Sequence, residues 1–187
     1  MTQPRQLDQP SADVSASASA SASASDGSRV EIIRVPWDDG RAVALRAAMD
    51  AEISPRYRDR FADRHPAEAA RLSASFAIDP DDIVSTLVAT VDGTAAAHAA
   101  LRRLGDQWEL KRLITLPEYR GRGLSQALIA AVEADVRARG GSRLVLQTGD
   151  RQPEAVSLYL KLGFERIPTY PPYTVFSGSN CFARNLG

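Results

Sequence analysis

The chain has 187 residues, enough for one compact domain with an extension and too few for two independent cores. Lysine and arginine number 23 against 23 for aspartate and glutamate, so no overall charge draws the protein to nucleic acid or to an anionic membrane. A single cysteine, Cys181, excludes an internal disulfide framework, and two histidines without ligand-like spacing, His65 and His98, give no support for a metal site.

No apolar run approaches the roughly 18 residues that a membrane-spanning helix needs, and the first residues lack the apolar stretch of a secretory signal. A cytoplasmic protein is the expectation. Residues 11–28 alternate Ser and Ala almost without interruption, which offers little apolar surface to offset the entropy of ordering the backbone. Residues 1–28 are therefore expected to be a disordered tail, and residues 29–187 the folded domain.

From Arg29 the pattern changes. Val30, Ile32, Ile33 and Val35 read as a short strand that Pro36 ends, and Asp38 or Asp39 suits the cap of a following helix. Val43, Leu45, Ala48, Met49 and Ile53 form a loose helical stripe over residues 40–56, and residues 66–75 read as a second helix. Residues 83–91 and 94–102 then form strands joined at Asp92-Gly93, a pair suited to the positive φ angles of a tight hairpin. A third strand, residues 108–115, follows the turn at Gly105-Asp106 and completes an antiparallel meander.

After the meander the period changes to that of a helix: Leu124, Leu128, Val132 and Val136 recur every fourth residue, and Gly140-Gly141 closes the element. Residues 143–147 are a buried strand, and the strand-helix-strand crossover makes it parallel to the strand before the helix. A last helix runs from Pro153 to Gly163, and residues 164–167 and 180–184 finish the sheet. The expected fold is α/β, a mixed, mostly antiparallel sheet with helices on both faces.

The segment Leu113–Ser125 (LITLPEYRGRGLS) runs from a strand through a Gly/Arg turn directly into a helix. Such a turn aims several backbone N–H groups and the positive end of the helix dipole at one spot, which favours a phosphate. Gly121 and Gly123 permit close backbone approach, while Arg120 and Arg122 add positive charge. A plain tight turn with solvated arginines fits the same residues. No Gly-Lys-Ser/Thr follows, so the turn is not a P-loop, and it lacks the three spaced glycines of a dinucleotide site.

These residues resemble the GNAT acetyltransferase superfamily, whose Arg/Gln-x-x-Gly-x-Gly/Ala pattern is met by Arg120, Gly123 and, with one departure, Ser125. The downstream run AVSLYLKLGF, residues 155–164, is similar to a second element of that family. The resemblance implies acetyl-CoA as cosubstrate, its pyrophosphate on the turn Arg120, Gly121, Arg122, Gly123, Leu124 and Ser125, and its pantetheine arm along the backbone near Thr115. It places Gln152 where the family often has an Asn near the cofactor. It also puts Tyr159 on the family's tyrosine, whose hydroxyl protonates the departing thiolate; a phenol with a pKa near 10 stays protonated at neutral pH. The serine at position 125 brings a Cβ and a hydroxyl to the phosphate site, and the hydroxyl could itself donate.

An attacking amine must lose a proton, and Glu109 on the strand leading to the turn is the candidate base. Its even separation from Thr115 puts both on one face unless a bulge intervenes. A solvated carboxylate paired with Lys111 or Arg112 is the alternative, and His98 is a weaker candidate that would equally serve as packing. Glu52, Arg56, Tyr57 and the run Tyr170-Pro171-Pro172-Tyr173 are candidates to line an acceptor cleft, and fit surface loops equally. The expected function is transfer of acetyl from acetyl-CoA to a primary amine of a small molecule by direct attack, in a monomer or homodimer with no nucleic-acid or membrane partner. The alternatives are a non-catalytic acyl-CoA-binding regulatory module, a protein or peptide N-acetyltransferase, and a nucleotide binder unrelated to CoA.

Overall fold

The computed structural model describes residues 20–23, 27–62 and 65–187. Eight strands form one sheet: β1 (Ala20–Ser23), β2 (Arg29–Val35), β3 (Ile83–Val91), β4 (Thr94–Leu104), β5 (Gln107–Thr115), β6 (Arg143–Gly149), β7 (Glu165–Ile167) and β8 (Ser179–Asn185). Their order is β1-β2-β3-β4-β5-β6-β8-β7, and every neighbouring pair is antiparallel except β5 and β6. The mixed, mostly antiparallel sheet and the parallel crossover are as expected. The last strand, β8, inserts between β6 and β7 instead of extending an edge.

The hairpin between β3 and β4 turns on Asp92 and Gly93 at φ 48° and 82°, the doubly positive geometry that matches the strands' twist. Ala96, Ala97, Ala99 and Ala100 of β4 have no exposed surface, because helices cover both faces of this central strand. On one face lie α3 (Leu124–Ala138) and α4 (Pro153–Lys161), with Leu128, Ile129, Val132 and Val136 at most 1% exposed. Burying each such side chain stabilises the fold by about 1.5–3 kcal/mol. On the other face α1 (Gly40–Ala62) buries Ala42 and Leu45 against Val35, Val88 and Ile114.

Helix α1 runs past the expected stop near Arg56, with Pro55 in its interior. Packing holds this second half: Tyr57 is buried against Leu72 of α2 (Pro66–Phe76) and against Phe176. Most of the tail lies outside the described residues. The exception corrects the reading of residues 1–28 as uniformly disordered, since β1 pairs Ala20–Ser23 with Arg29–Ile32 of β2. Ser and Ala bury little side-chain surface, but an open sheet edge recruits a segment through backbone N–H and C=O groups alone. Among the described residues no helix is long and apolar enough to cross a membrane.

Candidate active site

Strands β5 and β6 pair only over Trp108–Leu110 and Leu144–Leu146, and beyond that point they diverge. A bulge accompanies the divergence. On β4, Ala100 faces Lys111 but His98 faces Ile114, so β5 carries one extra residue there, and Arg112 takes φ 54°. The bulge reverses the alternation: Leu110 and Leu113 join the core under α3, whereas Ile114 joins the core under α1. Glu109 and Thr115 consequently lie on opposite faces, and the shared face expected from their even spacing is lost.

His98 holds this bulge in place. Its ring is fully buried, and Nδ1 lies 2.7 Å from the Arg112 carbonyl oxygen, so that nitrogen carries the proton and donates. Nε2 accepts from Arg46 at 3.3 Å. Burial pushes the imidazole down to about 4, helped by the Arg46 and Arg112 charges and opposed by the bond to the Arg112 carbonyl. The role is support for the backbone, because His98 lines neither cavity described below.

This arrangement has a pH signature. The unfolded chain takes up a proton near 6.5 while the folded imidazole resists it down to about 4, so stability is lost as pH falls through that interval. The loss attributable to His98 is on the order of 3 kcal/mol. Urea unfolding at pH 7 and at pH 4.5 should show a smaller acid loss in His98→Gln, which keeps a donor for the carbonyl and does not titrate. Equal losses in both proteins would remove His98 from the account.

Two adjoining cavities, of about 490 and about 330 Å³, occupy the divergence and share Met49, Ile53, Leu113, Gln152, Ala155 and Tyr159 on their walls. The smaller cavity meets Thr115, Arg120, Gly121 and Ser125. Gly121 and Gly123 stand at φ 78° and 79°, the left-handed region that a side chain would strain, and no atom lies within 4 Å of where a Cβ would be. Gly123 caps α3, whose first intrahelical bond described runs from the Ala127 N–H to the Gly123 carbonyl at 3.0 Å. The preceding N–H groups, from Leu124 to Gln126, have no partner within the helix by construction.

The Leu124 side chain is core, 2% exposed, so only its backbone is on offer. Arg120 donates to the Thr115 carbonyl at 3.1 Å and pairs with Glu52, which also holds Arg56 at 2.9 Å. Arg122 lies over the Tyr119 ring at 5.6 Å; neither it nor Gly123 lines a cavity. Ser125 Oγ and Thr115 Oγ1 are 2.8 Å apart, so the serine's hydroxyl ties the helix start to the end of β5.

Tyr159 projects from α4 and is 6% exposed, with its ring against Phe164 and Phe182 at centroid distances of 5.8 and 5.9 Å. Burial raises its pKa above the usual phenol range, which keeps it protonated. Gln152 precedes α4, and its side-chain N–H reaches Tyr57 Oη at 3.5 Å; that oxygen also accepts from the Arg151 N–H at 2.9 Å. Tyr57 lines the larger cavity and Glu52 the smaller, as a cleft role requires.

Glu109 corrects the sequence reading. It has no exposed surface, lines neither cavity, and is fully engaged: Oε2 accepts from Arg102 Nε at 2.6 Å, and Oε1 from the Tyr170 and Tyr173 hydroxyls at 2.8 Å each. A carboxylate so held is not free to accept a proton from an amine. Neither is it the solvated partner of Lys111 or Arg112. Tyr170 and Tyr173 likewise belong to this buried network and not to the cleft. Arg102 was missed, although its signal was present: Arg102 and Glu109 face each other across the hairpin built on Gly105-Asp106. Lys111, buried and on the wall of the larger cavity, was also missed.

Comparison with known proteins agrees with this geometry. Residues 47–164 match the Acetyltransferase (GNAT) family. Over 113 residues, 59% of this chain and 73% of the relative, it is 34% identical to an IAA acetyltransferase of Azospirillum brasilense. It is 38% identical over 64 residues to N-acetyltransferase family 8 member 2 of Rattus norvegicus; that match covers 34% of the chain and only 28% of the relative. The fold superposes on PaiA N-acetyltransferase of Thermoplasma acidophilum, solved in complex with coenzyme A, with a TM-score of 0.58 at 19% identity, covering 83% of this chain and 98% of that one. The strand-turn-helix at Arg120–Ser125, the diverging strands and the family match together establish that the chain belongs to the GNAT acetyltransferase family.

Proposed function

We propose that the protein transfers an acetyl group from acetyl-CoA to a primary amine of a small molecule by direct attack. The observation that carries the reading is the position of Tyr159, a protonated phenol on the wall common to both cavities, where β5 and β6 part. In this reading the N–H groups at the start of α3 hold the pyrophosphate, with Gly121 and Gly123 leaving room for it and Arg120 exchanging Glu52 for phosphate oxygens. Thr115, Gln152 and the stretch of β5 that does not pair with β6 line the path of the pantetheine arm. Acetyl-CoA supplies a thioester, whose C–S bond breaks as the acceptor nitrogen bonds to the carbonyl carbon.

Tyr159 donates its proton to the departing sulfur, and β5 N–H groups beyond Leu110, released from pairing with β6, stabilise the negative charge on the carbonyl oxygen. With Glu109 engaged elsewhere, the proton of the amine leaves through water in the open cavity. A volume of about 490 Å³ suits a small acceptor, and the lone buried Cys181 suits a reducing cytoplasm.

Thermal unfolding with and without acetyl-CoA tests the cosubstrate. At about 100 times its dissociation constant the ligand should stabilise the fold by about 2.7 kcal/mol, a rise of about 5–11 °C for a domain of this size. ATP and NAD should not reproduce the shift. No shift, or an equal shift with all three, would remove the acetyl-CoA reading.

A further inference from the structure

The larger cavity has a buried cation on its wall that the acetyl-transfer reading does not use. Lys111 is 8% exposed, and its Nζ donates to Tyr173 Oη at 2.8 Å. That phenol oxygen also accepts from Arg102 Nη2 at 2.9 Å and gives its own proton to Glu109 Oε1, so its capacity is filled. Glu109 is the only carboxylate among the buried members of this cluster, and Arg102 takes its Oε2 directly at 2.6 Å. Two buried cations therefore face one buried carboxylate, and Lys111 is the one left with a neutral phenol. Its contact with the Tyr173 ring, 4.9 Å from the centroid, is a weak substitute for a counter-ion.

An ammonium has three donors, and the described hydrogen bonds use one of them. Burial lowers the Lys111 pKa to about 8; Glu109 opposes the shift, and Arg102 and Arg112 add to it. A charge in such a position is costly unless an anion joins it. The rest of the wall offers no anion for it: Asp50 is ion-paired with Arg112, while Met49, Ile53, Phe76, Leu113 and Phe176 are apolar. The wall thus combines one under-compensated cation with an apolar surface of amino-acid size.

We propose that the acceptor is an amino-acid-like molecule, carrying a carboxylate and an apolar or aromatic substituent beside its amine, and that Lys111 Nζ binds the carboxylate. The amine half of this inference rests on the acetyltransferase reading; the carboxylate half does not. The carboxylate accepts charge-assisted hydrogen bonds from the two remaining Lys111 donors and brings the charge of the buried cluster to zero. Ile53, Phe76 and Phe176 take the substituent.

Isothermal titration of the full chain with N-acetyl-L-phenylalanine and with its primary amide tests the site with product-shaped ligands that need neither acetyl-CoA nor turnover. The acid should bind at least about tenfold more tightly than the amide. Lys111→Met should bring the two within about twofold of each other, whereas Lys111→Arg should keep most of the difference. Removing an under-compensated buried charge is compatible with folding, and Lys111→Gln provides the same comparison should the Met variant not fold. Equal affinity for acid and amide, an acid preference that survives Lys111→Met, or binding of neither compound at millimolar concentration would each overturn the inference. An acid preference without a thermal shift from acetyl-CoA would sink the acetyltransferase reading and leave the carboxylate site standing; a shift without the preference would do the reverse.

Discussion

Tyr159→Phe is expected to lower kcat for acetyl transfer by about 10²- to 10⁴-fold, the contribution of a positioned general acid, while acetyl-CoA still raises the unfolding temperature. The substitution removes one oxygen and keeps the ring that packs on Phe164 and Phe182, so folding should be preserved. Steady-state release of the CoA thiol, with the thermal shift measured on the same preparation, separates chemistry from binding. Because burial raises the phenol's pKa, the wild-type rate should show no descending limb from Tyr159 between pH 7 and the ordinary phenol range near 10. Undiminished turnover in the variant would take the proton donor's role away from Tyr159. A regulatory module that only binds acyl-CoA would show the shift and no turnover in either protein.

Glu109→Ala is expected to cost about 3–5 kcal/mol of stability, as breaking one side of a buried ion pair does. The substitution leaves Arg102 and Lys111 buried without their carboxylate and removes the acceptor of two phenol hydroxyls. Urea unfolding would read this as a large drop in the midpoint. The double change Glu109→Met with Arg102→Met should be less damaging than the single one, since it removes the charge and its partner together. Had Glu109 been the general base, its loss would instead lower turnover and spare stability. That outcome, an unchanged midpoint with activity gone, would restore the base assignment and dismantle the buried network described above.

The amount legible from sequence differs between elements for physical reasons. The hairpin at Asp92-Gly93, the four-residue repeat of α3 and the helix start after Gly123 were read correctly because each is local chemistry: positive φ, helical period, a turn running into a helix. The β5 bulge was not legible. One extra residue at Arg112 leaves the apolar pattern Leu110, Leu113, Ile114 compatible with either register, and only pairing with β4 and the His98 bond to the Arg112 carbonyl select the bulged one. Tyr170 and Tyr173, in a Pro-rich segment that reads as cleft wall or surface loop, are drawn inward by a carboxylate more than sixty residues earlier in the chain.

Composition and local spacing were thus sufficient for the fold class and the two family motifs, since period, turn chemistry and helix capping act over a few residues. Depth and partnership depended on the folded chain. Whether Glu109 faces solvent or Arg102, whether Lys111 has a counter-ion, and whether Tyr159 reaches both cavities depend on desolvation and on contacts between distant strands, and neither exists until the sheet and its helices are assembled.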